Sequence, residues 1–188
     1  RVLADIVRRY DVDGLHLDDY FFPYPERDNV TGVFLEFPDN ASYAAYRGTG
    51  GRLNQGDWRR DNVNRFIETL YGAVHREKPW VKVGLSPFGI WRPDNPPGIK
   101  GLDQYAVLYA DARLWVQRGW ADYFAPQLYW PLNRREQSFP ALLRWWNAQN
   151  ERNRLMVPGL ASASIGKDRP ATDIANQVRS ARQLQADG

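Results

Sequence analysis

Two adjacent carboxylates, Asp18 and Asp19, stand at the end of a short apolar run and are followed by Tyr20. Most enzymes that cleave glycosidic bonds need two carboxyl groups. One protonates the leaving oxygen, and the other acts as a nucleophile or activates water. Asp18 can supply the second role. The structural explanation is that these aspartates satisfy loop amides, cap a helix or pair with an arginine, but an unpaired carboxylate is costly to bury, which favours catalysis.

The run that carries these carboxylates, residues 13–18, has the alternation of a strand. Leu15 and Leu17 fall on one face, and His16 and Asp18 fall on the other. In a (β/α) barrel the face towards the helices takes branched apolar residues, so we expect His16 and Asp18 to point into the barrel. Asp18 would then lie at the carboxyl end of its strand, where such barrels build their sites.

The group that would protonate the leaving oxygen is harder to place. Successive side chains of a strand diverge, so Asp18 and Asp19 are not expected to form the acid and base pair by themselves. The loop carboxylates that follow a predicted strand are Glu36, Asp39, Asp94, Asp103 and Glu136. Spacing does not rank these five, and a carboxylate from strands outside this sequence could also serve.

A metal site is the main competing chemistry for the same segment. His16, Asp18 and Asp19 could begin one, but the only other histidine, His75, falls on a predicted helix outside the barrel, and the chain has no cysteine. A zinc site normally recruits more nitrogen or sulfur ligands than this. We therefore expect no metal and no cofactor, and an orienting or core role for His16.

The elements that must position these residues are four strands, each followed by a helical stretch. Apolar runs bounded by Gly, Pro or Asp predict the strands, and helical spacing of apolar residues predicts the helices. The strands are predicted at 13–18, 81–86, 123–129 and 155–161, and the helices at 2–10, 58–77, 104–118, 138–149 and 171–185, with Asp57, Ser138 and Thr172 as N-caps. The segment 21–56 is predicted as a long loop.

Strand–helix alternation predicts an α/β fold with parallel strands joined by crossovers. A complete (β/α)8 barrel needs about 250 residues. We therefore predict one domain over residues 1–188, a partial TIM (β/α)8 barrel of about four strand–helix units, with its N-terminal strands and last strand missing. A doubly wound open sheet is the competing fold, but no Gly-x-Gly-x-x-Gly turn follows a strand, which disfavours nucleotide binding.

The composition favours a carbohydrate ligand over a nucleic acid. Eight Trp, ten Tyr and eight Phe suit either a cleft that stacks on sugar rings or an aromatic-rich core. The net charge is only +3 and the arginine pairs are isolated, so no basic stripe for nucleic acid is predicted. No apolar run approaches the ~20 residues of a membrane span, and no signal peptide is visible.

Further polar and aromatic residues are expected at the mouth of the barrel. Strand alternation places Gln127 and Tyr129 beside Asp18. Trp91 and Arg92 follow the second predicted strand, and Trp130 follows the third. These are reasonable groups for stacking on a sugar and binding its hydroxyls, although any single Trp is as readily a core residue.

Several segments, in order along nearly the whole chain, resemble the glycosyl-hydrolase-like family ten. The first is the signature Tyr-Asp-Val-Asp-Gly-Leu-His-Leu-Asp-Asp-Tyr-Phe-Phe-Pro-Tyr-Pro at 10–25. The remaining segments that match are 37–39, 57–64, 78–92, 108–111, 122–130 and the Trp pair at 145–146. The resemblance implies a (β/α)8 barrel and a glycoside hydrolase that cleaves cell-wall, peptidoglycan-type glycan strands.

The same resemblance implies a site and a location. The polysaccharide substrate would contain GlcNAc. The protein would act outside the cytoplasm, in the periplasm or cell envelope, and its full-length form would be a lipoprotein. Asp18 and Asp19 would be catalytic. The residues expected to bind substrate are His16, Tyr20, Tyr24, Arg59, Trp91, Arg92, Gln127, Tyr129 and Trp130.

A weaker likeness to family-18 chitinases concerns Asp18 and Tyr129. In those enzymes the corresponding strand reads Asp-Gly-x-Asp-x-Asp-x-Glu, but here His16 replaces one Asp and Tyr20 stands where the acidic Glu should be. Substrate-assisted cleavage survives only as an option in which Asp18 orients an acetamido group. The residues are also compatible with a non-catalytic glycan-binding barrel and with a metal-dependent polysaccharide hydrolase or deacetylase.

Overall fold

A computed structural model describes residues 1–167 and 169–185 and has an α/β architecture. Its sheet contains four strands, all parallel, in the order β1-β2-β3-β4. The strands are β1 Gly14–Leu17, β2 Lys82–Leu85, β3 Tyr123–Phe124 and β4 Leu155–Met156. The α-helices are α1 Val2–Arg9, α2 Asn40–Gly48, α3 Gln55–Glu77, α4 Gln104–Val107, α5 Ala112–Arg118, α6 Phe139–Ala148 and α7 Ala171–Gln185, with short 3-10 helices at Arg135–Gln137 and Ser162–Ser164.

All four predicted strands exist and pair in parallel, as the strand–helix alternation predicted. Each is shorter than its apolar run. For β2, β3 and β4 the reason is that Pro87, Pro126 and Pro158 follow them and cannot donate to a ladder. Pairing nevertheless resumes beyond the prolines, where Gln127 bridges both Phe88 and Gly159. The strand ends are therefore held side by side, which brings the residues that follow them together.

The core lies between the sheet and the helices. Val81, which precedes β2, and Val83 and Leu85 of β2 are buried on the helix side, and Leu15 and Leu17 of β1 pack against the same side. This confirms the predicted strand faces. His16 and Asp18 consequently lie on the opposite, exposed face of β1.

The long helix α3 begins earlier than its apolar periodicity indicated. Its N-cap is Asn54, whose side-chain oxygen accepts a hydrogen bond from the backbone N–H of Asp57 at 2.9 Å. The prediction that Asp57 is the N-cap was wrong, because Asp57 lies in the first helical turn. Asn54 has the extended backbone conformation of a cap, and it is followed by polar residues that carry no apolar period.

The stretch predicted as one helix at 104–118 is two helices. Tyr109 takes a positive φ of 50° between them, a conformation in which a helix cannot continue. Asp103 caps α4 by accepting from Ala106 N at 3.0 Å, and Asp111 caps α5 by accepting from Leu114 N at 3.3 Å. Because both helices bury residues in the same core, the apolar pattern continued across the break.

Two further expectations about the elements need correction. The loop predicted at 21–56 contains the helix α2, whose residues are none of them buried, so no apolar stripe signalled it. Thr172 is not a cap, because α7 already begins at Ala171. Ser138 does occupy the N-cap position of α6, although its side chain makes no capping hydrogen bond. Within the part of the chain that the structure describes, no helix is both long enough and apolar enough to cross a membrane.

Candidate active site

Asp18 lies at the carboxyl end of β1, on the exposed face of the sheet. Its Oδ1 accepts hydrogen bonds from the backbone N–H of Asp19 at 2.9 Å and from Nε2 of Gln127 at 2.7 Å. The same Nε2 donates to the backbone oxygen of Ser86 at 3.0 Å. Residues following three adjacent strands therefore hold one carboxylate in place. The second oxygen, Oδ2, accepts no hydrogen bond from residues 1–167 or 169–185.

Asp19 has a different environment, although it is the next residue. Only 3% of its surface is exposed, and its Oδ2 accepts a hydrogen bond from the Tyr24 hydroxyl. Burial raises the pKa of Asp19, and the nearby charge of Asp18 raises it further, whereas the hydrogen bond from Tyr24 opposes the rise. The pKa of Tyr24 is also raised, by burial and by its hydrogen bond to Asp19. The pair therefore resists ionisation.

His16 forms the floor of the site together with Tyr123, a residue that sequence analysis missed. His16 Nδ1 lies 2.9 Å from the Tyr123 hydroxyl, and the two rings stack with centroids 5.6 Å apart. These residues lie two strands apart, and Gly84 lies between them in the strand register. A Cβ added to Gly84 would meet the Tyr123 ring at 1.9 Å. The glycine therefore makes room for this contact.

A signal for Tyr123 was present in the sequence. It shares its strand face with Gln127 and Tyr129, and Gly84 is the gap on the inward face of the neighbouring strand. Only the register, however, aligns His16, Gly84 and Tyr123 in one row across the sheet.

Tyr20 and Tyr129 also lie near the two carboxylates. Burial raises the pKa of the Tyr129 hydroxyl, and the charges of Asp18 and Asp19 raise it further. Tyr20 is 72% exposed and meets Tyr24 edge to face, with ring centroids 5.5 Å apart. Both phenols are therefore accessible to a ligand that reaches Asp18.

Trp130 follows the end of β3 but is tied to its neighbours in the fold. Its ring meets Phe88 edge to face at 5.6 Å, and its backbone oxygen accepts from Gln177 Nε2 at 2.8 Å. Gly89 lies under the ring, where an added Cβ would come within 2.9 Å of it. Trp130 thus has a partly buried ring beside the strand ends.

Arg59 forms a buried ion pair with Asp39. Its Nε and Nη2 donate to the two oxygens of Asp39 at 2.8 and 2.7 Å, and its Nη1 donates to the Tyr109 hydroxyl at 2.6 Å. Both charged residues are 8% exposed. The hydrogen bond from Arg59 lowers the pKa of Asp39 and raises the pKa of Arg59. The structure therefore places Arg59 beside Tyr109 rather than at Asp18.

Trp91 and Arg92 form a separate group near α4, α5 and α6. Trp91 stacks on Trp145 with centroids 5.7 Å apart and donates from Nε1 to Asp111 Oδ1 at 3.0 Å. Arg92 donates to Asp103 Oδ2 at 3.1 Å. Among the residues whose positions are described, no hydrogen bond or ring contact joins this group to Asp18.

Four of the five loop carboxylates considered as proton donors have structural partners. Asp39 pairs with Arg59, Asp103 pairs with Arg92, Glu136 pairs with Lys100, and Asp94 accepts from Gly98 N at 3.2 Å. Glu36 differs, because it is exposed and lines a pocket that also contains Tyr24.

Histidine contacts bear on the possibility of a metal site. His75 lies on α3, as predicted, with Nδ1 2.9 Å from the Tyr71 oxygen and Nε2 3.3 Å from Asp122 Oδ2. In residues 1–167 and 169–185, no three His, Cys, Asp or Glu side chains form a group that could hold a metal ion.

One pocket borders Asp18, and a second is linked to Asp19 through Tyr24. The first, of about 460 Å³, is mostly apolar and brings Asp18 and Tyr20 together with Val63 and Phe66 of α3. The second, of about 380 Å³, lies on the far side of Tyr24 and is lined by residues 22–26 and 34–38 with Arg59, Val107 and Tyr109.

Comparisons with known proteins agree with the resemblance seen in the sequence. The model of the family described as Glycosyl hydrolase-like 10 matches residues 1–174. Glycosyl hydrolase YngK of Bacillus subtilis is 40% identical over 185 residues, which cover 94% of this chain and 35% of that protein. Glycosyl hydrolase DigH of Escherichia coli K12 is 35% identical over 172 residues, which cover 88% of this chain and 37% of that protein. The chain thus spans about a third of the length of the curated relatives it matches.

Proposed function

Because this chain belongs to the glycosyl hydrolase-like 10 family, we propose that it takes part in cleaving glycosidic bonds of GlcNAc-containing, peptidoglycan-type glycan strands. The observation that carries the proposal is the geometry of Asp18. Gln127 and the Asp19 backbone hold one carboxylate oxygen, and the second oxygen accepts no hydrogen bond from the described protein. A carboxylate fixed in this way can act on an anomeric carbon or on the water that attacks it.

We assign Asp19 to a supporting part in this reaction. Its burial keeps it from direct contact with a sugar, and the same burial raises its pKa. Through its hydrogen bond, Asp19 also orients the Tyr24 ring at the edge of the site.

We further propose that the four strands are part of a (β/α)8 barrel. Within the described residues, β1 and β4 each pair with a strand on one side only. Apolar hollows lie along the β1 side, where Phe66 and Val2 are exposed. Unpaired strand edges and apolar grooves of this kind are normally covered by neighbouring elements. The low share of the relatives' length that this chain covers is consistent with additional strands.

The proposed substrate determines the proposed location. Peptidoglycan-type glycan lies outside the cytoplasmic membrane, so the activity would be periplasmic or at the cell envelope. Fractionation of cells that make the tagged full-length protein tests this, and recovery in the cytoplasm would contradict it.

The decisive experiment replaces the proposed catalytic carboxylate. In the full-length protein, Asp18→Asn should lower glycan cleavage by about 1,000-fold or more, because the amide keeps the shape but cannot act as nucleophile or base. Products from peptide-free glycan strands are measured by mass spectrometry. Asp61→Asn on the surface of α3 is the matched control and should retain activity. Unchanged cleavage by the Asp18→Asn protein would remove Asp18 from the mechanism.

One observation favours a second candidate, a barrel that binds glycan without cleaving it. Most of the loop carboxylates that might donate a proton are engaged in ion pairs or caps. Glycan binding by the full-length protein with no product at any pH between about 4 and 9 would favour this second candidate, since the carboxyl groups of a glycosidase titrate within or below that range.

A further inference from the structure

The pocket on the far side of Tyr24 is built by a hairpin in the connection after β1. Leu35 N donates to Glu26 O at 2.9 Å, and Asp28 N donates to Val33 O at 2.8 Å. The turn between them is held by Asp28, whose side chain accepts from the backbone of Val30 and Thr31 at 3.0 and 2.6 Å. These hydrogen bonds lower the pKa of Asp28. The hairpin is therefore a folded wall of the pocket.

The inner surface of the pocket is aromatic. Phe22 meets Phe37 on one side and Tyr109 on the other, each with ring centroids 4.9 Å apart. Tyr24 and Phe34 also line the pocket. Aromatic rings of this kind bind the apolar face of a pyranose while leaving its hydroxyls free. The volume of about 380 Å³ accommodates one sugar ring with an acetamido group.

The polar groups of the pocket carry net negative charge. Glu26 and Glu36 line it from the hairpin, and neither has an ion-pair partner within residues 1–167 and 169–185. Arg59 is the cation among the described lining residues, but its charge is balanced by Asp39. Arg27 stacks over Phe34 with its guanidinium carbon 3.8 Å from the ring centroid, but it does not line the pocket. The two glutamates can accept hydrogen bonds from hydroxyls or an amide, and they repel a ligand carboxylate.

Tyr24 is the residue that links the pocket to the candidate active site. Tyr24 lines the pocket with its ring and donates its hydroxyl to Asp19, the neighbour of Asp18. A sugar bound in the pocket would contact Tyr24, whose hydroxyl group is hydrogen-bonded to the residue next to Asp18.

We infer that this pocket is a saccharide subsite that selects an uncharged N-acetylhexosamine and disfavours a sugar bearing a carboxylate. The inference rests on the proposed function, because it assigns the pocket to the same glycan. In a glycan strand that alternates neutral and carboxylate-bearing amino sugars, such a subsite would determine which of the two kinds of sugar is bound next to Asp18.

Binding without turnover tests the inference. Titration calorimetry of the full-length protein carrying Asp18→Asn is performed with the N-acetylglucosamine trisaccharide and with its C6-oxidised form, which carries a carboxylate on each sugar. We expect the neutral trisaccharide to bind about 10-fold tighter, since Glu26 and Glu36 repel a ligand carboxylate at close range. Adding Glu26→Gln and Glu36→Gln should reduce this preference to about 2-fold, since the charges are removed while the amide oxygens can still accept hydrogen bonds.

Two controls make the outcomes decisive. Glu68→Gln with Glu151→Gln removes the same charge far from the pocket and should leave the preference of about 10-fold unchanged. Phe37→Ala should weaken both trisaccharides about 5-fold through lost stacking. A preference that persists in the Glu26 and Glu36 double variant, undiminished affinity after Phe37→Ala, or no measurable binding would each overturn the inference.

The same measurements separate this inference from the proposed function. Cleavage by the unmodified protein with a preference that ignores Glu26 and Glu36 would refute the subsite and leave the hydrolase proposal standing. The expected binding preferences together with no cleavage would support the subsite and refute the hydrolase.

Discussion

Asp19 and Asp39 are two buried carboxylates in the same connection after β1, yet their surroundings act on them in opposite ways. Asp39 accepts hydrogen bonds from Nε and Nη2 of Arg59 and from Gln55 Nε2 at 2.8 Å, and these hydrogen bonds lower its pKa. Asp19 receives a phenol hydrogen bond beside the charge of Asp18, and its pKa is raised. Asp39 is thus compensated, whereas Asp19 is not.

This difference separates a structural acid from a functional one. The ion pair of Asp39 ties α2 to α3 and offers nothing to a ligand, because its donors and acceptors are already used. The environment of Asp19 costs stability at neutral pH. Uncompensated buried groups concentrate where chemistry requires an altered proton affinity, so such a cost marks a candidate active site.

The largest expected effect on stability comes from breaking the compensated pair. Arg59→Met leaves Asp39 buried without its partner, and we expect the free energy of unfolding to fall by about 3 kcal/mol at pH 7. Asp39 contributes stability above its ordinary pKa of 3.8 and loses it as the pH falls through the lowered value. The loss in Arg59→Met should therefore shrink below about pH 4. Urea denaturation across pH measures both.

The matched control removes both charges together. Arg59→Met with Asp39→Asn leaves no uncompensated ion and should recover more than half of the lost stability. If the double variant is no more stable than Arg59→Met alone, the ion pair is not what distinguishes Asp39 from Asp19.

The next effect concerns how the functional side is assembled. Gly84→Ala places a Cβ against the Tyr123 ring and should displace it from His16. We expect a loss of about 1–2 kcal/mol in stability from overpacking. Cleavage should also fall, by about 10-fold, if the floor under Asp18 matters.

Tyr123→Phe is the comparison variant for Gly84→Ala. It removes only the hydroxyl that meets His16 and should cost about 1 kcal/mol or less in stability. Steady-state cleavage of peptide-free glycan and urea denaturation provide the two readouts. Full activity in both variants would exclude the pair of His16 and Tyr123 from the site.

The smallest effect is a gain of stability at the uncompensated acid. A raised pKa means that Asp19 favours folding at low pH and that this contribution is lost as the pH rises from 3.8 through the raised value. Asp19→Asn removes that dependence, so we expect it to be about 1 kcal/mol more stable than the unmodified protein at pH 7. The advantage should diminish towards about pH 4, and cleavage should decrease. A variant less stable at pH 7 would contradict the assignment of an unfavourable burial.

The sequence anticipated the features that depend on local pattern. Alternation in β1 correctly separated Leu15 and Leu17 from His16 and Asp18, because adjacent strand side chains must point to opposite faces. The same rule placed Gln127 next to Asp18, and the structure joins them at 2.7 Å. Helical spacing likewise found α1, α3 and α6 with boundaries shifted by at most three residues.

The features that sequence analysis missed depend on contacts between distant segments. α2 has no buried residue, and the break at Tyr109 lies in an unbroken apolar pattern, so neither left a periodic signal. Trp91 and Arg92 follow β2 as expected, but their partners are Trp145 and Asp103 rather than Asp18. Whether a residue near a strand end faces the site or packs beside it depends on the side chains that other segments of the chain place next to it.

The amino-acid sequence by itself determined the parallel α/β fold, the family and the position of Asp18, since these follow from period, order and motif. Only the tertiary structure decided that Asp19 is buried against Tyr24, that Asp39 is neutralised by Arg59, and that Gly84 lets His16 reach Tyr123. Burial and charge compensation are sums over atoms from distant parts of the chain. The residues adjacent in sequence do not determine burial or charge compensation, and these two properties are what distinguish Asp19 from Asp39.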